Sequence, residues 1–176
     1  MQKGHLRFLT LYARLIHEEN LVPGDIRLLI AGQGPLEEEI ENCIDVFKIS
    51  EFVTLLGGIP NELMLSLMKL VHLVVIPSVY EGFGNVAIEA IMCGATTLTS
   101  NSGGLNEIVH DGVNGYKFDV DNYESCYPKL YDLYTQYSRL KIDDTVLTSD
   151  YKSRFTLASQ IDQIIDFVSL VVESRR

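Results

Sequence analysis

The sequence predicts a doubly wound α/β domain, a Rossmann-like parallel sheet with helices on both faces. Apolar runs alternate along the chain with segments of helical periodicity. The strand runs are apolar throughout instead of on every second residue, the pattern of strands covered on both sides. The breaks between them are short and marked by glycine or proline.

A chain of 176 residues with 47% hydrophobic content suits one domain with a proper core. Fourteen basic residues against 24 acidic ones leave a net charge of −10 with no long basic cluster, which argues against nucleic acid as a partner. Cys43, Cys93 and Cys126 are odd in number and widely spaced, so neither a disulfide framework nor a metal site is indicated, and a reducing cytoplasm is expected. MQKGHLRFL has no signal-peptide core, and no apolar run is long enough to span a bilayer.

In chain order, Leu6 to Glu19 has helical periodicity and Ile26 to Gly32 reads as a buried strand. Pro35 to Phe47 is helical, with Pro35 at the first helical position and acids in the first turn. FVTLLGG is a strand, NELMLSLMKL a helix and LVHLVVIPS a fully buried strand. Next comes a short helix, with Asn85 as N-cap and Gly94 as its C-terminal stop, whose residues leave no polar face. TTLTS is a strand, LNEIV a helical turn, GYKF the last strand and Tyr123 to Leu140 a helix. The polar stretch around Asp143 to Asp150 is expected to be a loop. It leads to a helical C-terminal segment within residues 151–176, whose run LASQIDQIIDFVSLVV is amphipathic, with a face to bury in the core or, as alternatives, on a membrane or partner. Such domains normally open on a strand, and here the first element is a helix, so residues 1–176 are read as one domain lacking its first strand.

Ligands of open parallel sheets bind beyond the carboxyl ends of the strands. Four loops there are rich in glycine: GQGP, LGGIP, SVYEGFG and NSGG. Glycine serves tight turns without any ligand, but four such loops on one edge offer amides and helix dipoles to an anion, most naturally a phosphate or diphosphate. Two carboxylates join them. Glu81 lies on the strand-to-helix loop and Glu89 about one turn into the helix, where side chains lean back toward the N-terminus, so both can face one crevice. A buried lone carboxylate needs a partner, and a pair of sugar hydroxyls suits a bidentate acceptor; a backbone cap or a lysine would serve as well. A hydrolase would also use paired acids, but amides and a positive helix end beside Glu81 favour an acceptor over a general acid. His72 is expected in the core, His5 is a candidate to face the crevice beside Lys3, and His17 and His110 are expected at the surface. Tyr123, Tyr127, Tyr131, Tyr134 and Tyr137 have helical spacing and are expected to pack.

EGFGNVAIEAIMCG resembles the E-x-F-G-x-x-x-x-E-A signature of the retaining group 1 glycosyltransferases, also called glycosyltransferase family 4, which have the two-domain GT-B architecture. KGH, AGQGP, TLLGGIP, VVIPS and NSGGLNEIVHDGVNGYKF resemble further family segments, in order from residue 3 to about 120. The resemblance implies a C-terminal donor-binding domain. Glu89 would hold the ribose hydroxyls and Glu81 the donor-sugar hydroxyls. The amides of Phe83, Gly84, Asn85 and Val86 would meet sugar and β-phosphate, Lys3 would neutralise the diphosphate, and Gly32, Gly34, Gly57, Gly58 and Ile59 would line the site.

Glu81 and Lys3 would act in transfer of a sugar from a UDP- or GDP-sugar with retained configuration, without cofactor or obligatory metal, to a glycan or lipid-linked acceptor in polysaccharide or glycoconjugate synthesis. Family members also have an N-terminal acceptor-binding domain and an arginine-bearing strand just before the lysine, neither of which occurs in this sequence. In the family a late helix often packs back on that first domain. The chain alone is expected to be inactive and cytoplasmic, with any association at the inner membrane face made through the other half. Asn106 stands where many relatives have proline. The alternative is a non-catalytic nucleotide-sugar-binding subunit or sensor working with a separate acceptor-binding chain.

Overall fold

A computed structural model describes residues 3–173. Among the described residues there are nine α-helices and five strands, the strands separated by helices and followed by four more, and every strand pair is parallel. The strands are β1 (Leu28–Ala31), β2 (Val53–Gly57), β3 (Leu73–Ile76), β4 (Thr96–Ser100) and β5 (Tyr116–Phe118). They form two sheets, β1-β2 and β3-β4-β5. Registers are regular, with Leu28 opposite Val53, Leu73 opposite Thr96 and Leu98 opposite Tyr116, apart from one irregularity between Ile30 and Ala31.

The expected α/β architecture is present, but the burial differs in a telling way. The apolar runs of β1 and β2, and most of β3, are only half-buried, whereas the threonine-rich β4 is buried along its whole length. Position explains this. β4 lies between two strands, while among the described residues β1 and β3 are each paired on one side only.

Helix α1 (His5–Glu18) ties the two sheets together. Phe8, Leu9, Leu11, Tyr12, Leu15 and Ile16 form a broad apolar stripe. It packs in one cluster with Leu28 and Ile30 of the first sheet and Leu73, Val75 and Leu98 of the second. A second cluster gathers Ala87 and Ile91 of α4 (Asn85–Met92), Leu105 and Ile108 of α5 (Gly104–Ile108), and Leu147 of α8 (Asp144–Arg154).

Helix α2 (Glu37–Val46) begins two residues after Pro35, which lies in the preceding turn, and carries Glu37, Glu38 and Glu39 in its first turn. Helix α3 (Asn61–Leu70) has the expected bounds. The predicted helix from Tyr123 to Leu140 is three pieces: a 3₁₀ turn, α6 (Cys126–Thr135) and α7 (Tyr137–Leu140), broken where Gln136 takes φ −124°. The polar stretch expected as a loop is α8. Asp143 caps it, its carboxylate accepting from the Thr145 amide at 2.8 Å. Helix α9 (Leu157–Glu173) is present and packs on α8, but Leu157, Ile161, Ile164 and Ile165 are exposed, against the expectation of core packing. Among the described residues no helix is long and apolar enough to cross a membrane.

Candidate functional site

Lys3 and Glu81 meet at the carboxyl end of β3, 78 positions apart in sequence. The Lys3 ammonium lies 2.7 Å from Glu81 Oε2, and the Ser78 hydroxyl donates to the same oxygen at 3.2 Å. Burial alone would raise the Glu81 carboxyl, but Lys3, Ser78 and the Gly84 amide together hold it below the usual carboxylate range. Glu81 is therefore held ionised, chiefly by Lys3, with the amide expected from its sequence context contributing least. His5 follows Lys3 by two residues, and burial, reinforced by the Lys3 charge, pushes its imidazole down toward the neutral form.

Three glycines build this cluster by allowing backbones to touch. A Cβ on Gly4 would stand 1.8 Å from the Pro77 carbonyl oxygen, and Gly4 has φ +70°. The Tyr123 hydroxyl donates to either of the Gly4 and Pro77 carbonyls, 3.1 Å from each, and so ties the start of α1 to the end of β3. On the other side, a Cβ on Gly103 would stand 1.8 Å from the Glu81 carbonyl oxygen and one on Gly104 2.2 Å from that of Phe83. The NSGG loop thus clamps the loop that carries Glu81, and the Gly104 amide donates to the Glu81 carbonyl. Ser100 and Ser102 add hydrogen bonds to the Ser78 carbonyl.

Helix α4 departs from expectation at both of its faces. Gly84, not Asn85, is the N-cap, in a left-handed conformation at φ +92° that only glycine adopts without strain, and Asn85 is the first helical residue. The first-turn amides of Asn85 and Val86 have no acceptor among the described residues, so they remain available at the positive end of the helix. The helix is not buried all round: Ala87, Ala90 and Ile91 face the core, while Val86 and Met92 are exposed. Gly94 ends the helix as expected, at φ +74°.

Glu89 is half-buried on this helix, and its carboxylate has no hydrogen-bond or ion-pair partner among the described residues. The lysine and backbone-cap alternatives thus find no support there. Phe83 is 63% exposed, as is much of Tyr80 beside it. At the ends of β1 and β2 the other two glycine loops also pair: the Gly32 amide donates to the Gly57 carbonyl at 2.8 Å, and the Gln33 side chain packs over Gly58. Gly32 and Gly34 border open space. Ile59 is half-buried just before Pro60 and α3. The structure therefore joins the four loops as two clamped pairs, one on each sheet.

Some residues escaped sequence reasoning. Ser78 was legible only as the end of a strand, and Tyr123 only as part of a tyrosine stripe. Of the other tyrosines, Tyr127 and Tyr134 pack against the main core and Tyr137 is half-buried, whereas Tyr131, against expectation, is exposed. His72 is exposed and meets Tyr137 edge-on at 5.1 Å instead of entering the core, because it precedes β3. His17 and His110 are exposed, as expected. Asn106 holds the Lys117 ammonium at 2.9 Å through its side chain.

Comparison with known proteins decides the family. The family model for glycosyl transferases group 1 matches residues 1–142. The chain belongs to the group 1 glycosyltransferases. Among curated members of this family, it is 30% identical to the Campylobacter jejuni N-acetylgalactosamine-N,N'-diacetylbacillosaminyl-diphospho-undecaprenol 4-alpha-N-acetylgalactosaminyltransferase, over 92% of this chain and 40% of the relative. It is 34% identical to an uncharacterized glycosyltransferase of Methanocaldococcus jannaschii, over 65% of this chain and 28% of the relative. The chain thus spans less than half the length of these curated relatives.

Among solved structures, HepE of Anabaena in complex with UDP superposes with a TM-score of 0.77 at 20% identity, over 96% of this chain and 45% of that one. The C-terminal domain of a group 1 family glycosyl transferase from Francisella tularensis superposes at 0.75 and 20% identity, over 89% of this chain and 81% of that one. At these identities the likeness is one of fold, that of the GT-B glycosyltransferases.

Proposed function

We propose that this group 1 glycosyltransferase chain is the donor-binding half of a retaining enzyme that moves a sugar from a UDP- or GDP-sugar to a glycan or lipid-linked acceptor. The observation that carries the proposal is the cluster of Lys3, Glu81 and Ser78 beside the open first-turn amides of α4, with an unpartnered Glu89 on the same helix. Each part has a chemical use. The Lys3 side chain is 57% exposed, and its ammonium can exchange the Glu81 carboxylate for a diphosphate oxygen. The amides of Phe83, Gly84, Asn85 and Val86 offer donors to the phosphate and sugar. Glu81, ionised, accepts from sugar hydroxyls, and Glu89 accepts from the two ribose hydroxyls. Gly32, Gly34, Gly57, Gly58 and Ile59 supply the wall on the first sheet. Catalysis on this reading is electrostatic, with Lys3 and the helix amides stabilising the leaving diphosphate.

The relatives' names support the reading without fixing its details: one is an N-acetylgalactosaminyltransferase acting on a diphospho-undecaprenol substrate, and one structural neighbour holds UDP. An acceptor-binding partner, domain or subunit, completes the active site on this reading. The test is calorimetric titration of the chain with UDP, GDP and their common sugar conjugates, beside Glu89→Ala. Binding of one nucleotide that weakens at least tenfold in the variant is the expected result. Equal affinity in both proteins would remove Glu89 from the site, and sugar transfer by the isolated chain would contradict the division of labour.

A further inference from the structure

Helix α5 is the floor of the loop that carries Glu81. Gly103 and Gly104 set its start against the Glu81 and Phe83 carbonyls, and the Gly104 amide donates to the Glu81 carbonyl at 3.2 Å. Its two apolar side chains, Leu105 and Ile108, are buried and reach Gly84: a Cβ there would stand 3.2 Å from Leu105 Cδ2 and 3.0 Å from Ile108 Cδ1. Yet α5 has only five residues. A helix that short does not hold itself, because nucleation costs more than its few internal hydrogen bonds return and its last carbonyls have no helical partners.

Those carbonyls are held from outside, by side chains. Lys117 of β5 donates to the Asn106 carbonyl at 3.2 Å. Arg154, the last residue of α8, donates through Nη2 to the Glu107 carbonyl at 2.9 Å and through Nη1 to the Ile108 carbonyl at 3.0 Å. The buried Asn114 side chain donates to that same Ile108 carbonyl at 3.0 Å. The guanidinium is itself fixed: Asp150, one helical turn back, accepts from Nη1 at 3.3 Å and from Asn114 at 2.8 Å. A cation on the terminal carbonyls is the favourable sign for a helix end. The Arg154 side chain is 26% exposed and that of Asp150 15%, so these bonds are sheltered from the solvent that weakens surface ion pairs. Ile108 thus takes the guanidinium on its carbonyl and lays its side chain on Gly84, a path of one residue from α8 to the N-cap of α4.

We propose that Arg154 is a positioning residue for the candidate site: held by Asp150, it clamps the carboxyl end of α5 and, through α5, keeps the loop from Glu81 to Gly84 in place. The family model matches residues 1–142, so Asp150 and Arg154 lie outside it. The clamp stands on the hydrogen bonds alone, and only its consequence for ligand binding rests on the nucleotide reading of the site.

Arg154→Met tests it, because methionine keeps an apolar stem and removes every donor. Arg154→Lys, which keeps the charge, and Tyr12→Phe, which removes a buried hydrogen bond to the Phe52 carbonyl in the other core cluster, are the companions. Each protein is read by amide exchange, by the Glu81 carboxyl titration in carbon-13 NMR, and by calorimetry with UDP and GDP. In Arg154→Met the amides of Gly104 and Val109, which donate to the Glu81 and Leu105 carbonyls, should exchange at least about tenfold faster relative to β4. The Glu81 carboxyl, held down by Lys3, Ser78 and the Gly84 amide, should move up toward its ordinary range. Whichever nucleotide the parent binds should bind at least about fivefold more weakly. Arg154→Lys should restore most of these losses, and Tyr12→Phe should show none of them. In the parent itself, exchange in sub-denaturing urea should show Gly104, Val109 and the α8 amides opening as one unit, which decides the matter even where Arg154→Met fails to fold. Unchanged exchange and titration in a folded Arg154→Met, equal changes in Tyr12→Phe, or an α5 that opens apart from α8 in the parent would overturn the proposal. A loosened α5 with undiminished nucleotide affinity would overturn the positioning role. Binding of neither nucleotide by the parent would instead count against the nucleotide reading, and exchange and titration would still decide the clamp.

Discussion

Single residues in this domain are constrained most where backbones touch. Gly103 has φ +49°, and a Cβ there would stand 1.8 Å from the Glu81 carbonyl oxygen, a contact between two main chains that no side-chain rotation relieves. Gly112 is also left-handed, at φ +74°, but has nothing within 4 Å of a Cβ. Gly112→Ala should thus cost only the conformational term, about 1 kcal/mol, and Gly103→Ala at least about 2 kcal/mol more, measured by urea unfolding. Equal losses would show that the Glu81 loop moves freely away from NSGG. Glu81 itself makes a pH-dependent contribution. Its carboxyl is depressed below the usual 4.5 in the folded protein, so the stability it adds is present above that value and is lost as pH falls through the folded pKa. Because Lys3 is largely exposed, the contribution is small, at most about 1 kcal/mol. Glu81→Gln should be less stable than the parent near pH 6 and approach it progressively as pH falls below 4.5, and a constant gap across that range would assign the loss to packing.

At the scale of elements, α8 shows both how the fold is held and how it hid in the sequence. Its fully buried apolar anchor is Leu147, with Tyr151 and the C-cap Phe155 packed against the same cluster, and much of the rest of its hold is polar. The buried Asn114 side chain donates to the Ile108 carbonyl at 3.0 Å and to Asp150 at 2.8 Å, and accepts from the His110 amide. Arg154 donates to the Glu107 and Ile108 carbonyls from the other side. Asn114→Ala should cost about 2–3 kcal/mol and speed amide exchange in α8 before that in β4; unchanged exchange in α8 would show that Leu147 alone anchors it. A helix held this way has almost no apolar periodicity, so KIDDTVLTSD reads as a loop. By contrast, α3 and β4 are legible to the residue, because their apolar or β-branched runs end at sharp signals, Pro60 before one and Gly94 before the other. The pair of glutamates and the glycine loops were visible as motifs: the two carboxylates stand out in an otherwise apolar stretch, and glycines such as Gly84 and Gly103 hold left-handed turns. Their grouping was only partly visible: the Lys3–Glu81 contact depends on Gly4 lying on Pro77, and no spacing encodes a contact between residues 78 positions apart. The half-exposure of β1 and β3 was not legible either, because an apolar run reports what a strand can bury and not whether a neighbour is there.

At the scale of the whole molecule, the question is whether two unpaired sheets behave as one domain. No backbone hydrogen bond joins them among the described residues, so their coupling must come from side chains. The cluster under α1 is large enough for that role: it includes Ile40 and Ile44 of α2, Phe52 before β2, Leu98 of β4, Phe118 of β5, and Leu130 and Leu133 of α6, with α1 in the middle. Leu9 and Leu15, both with no exposed surface, lie on the face of α1 that fills this cluster. Truncating either to alanine removes the transfer free energy of the lost carbons and leaves a cavity that neighbours from both sheets must close, a loss of about 3 kcal/mol. If the cluster couples the sheets, the loss is felt in both at once. Leu9→Ala should then lower the urea midpoint in a single transition, with far-UV circular dichroism and tyrosine fluorescence coinciding and exchange protection falling by the same factor in β1 and β4. The alternative outcome is specific. Should β1 and β2 lose protection in the variant while β3, β4 and β5 keep theirs, the sheets would be separate folding units joined only by helices, and α1 would belong to the first of them.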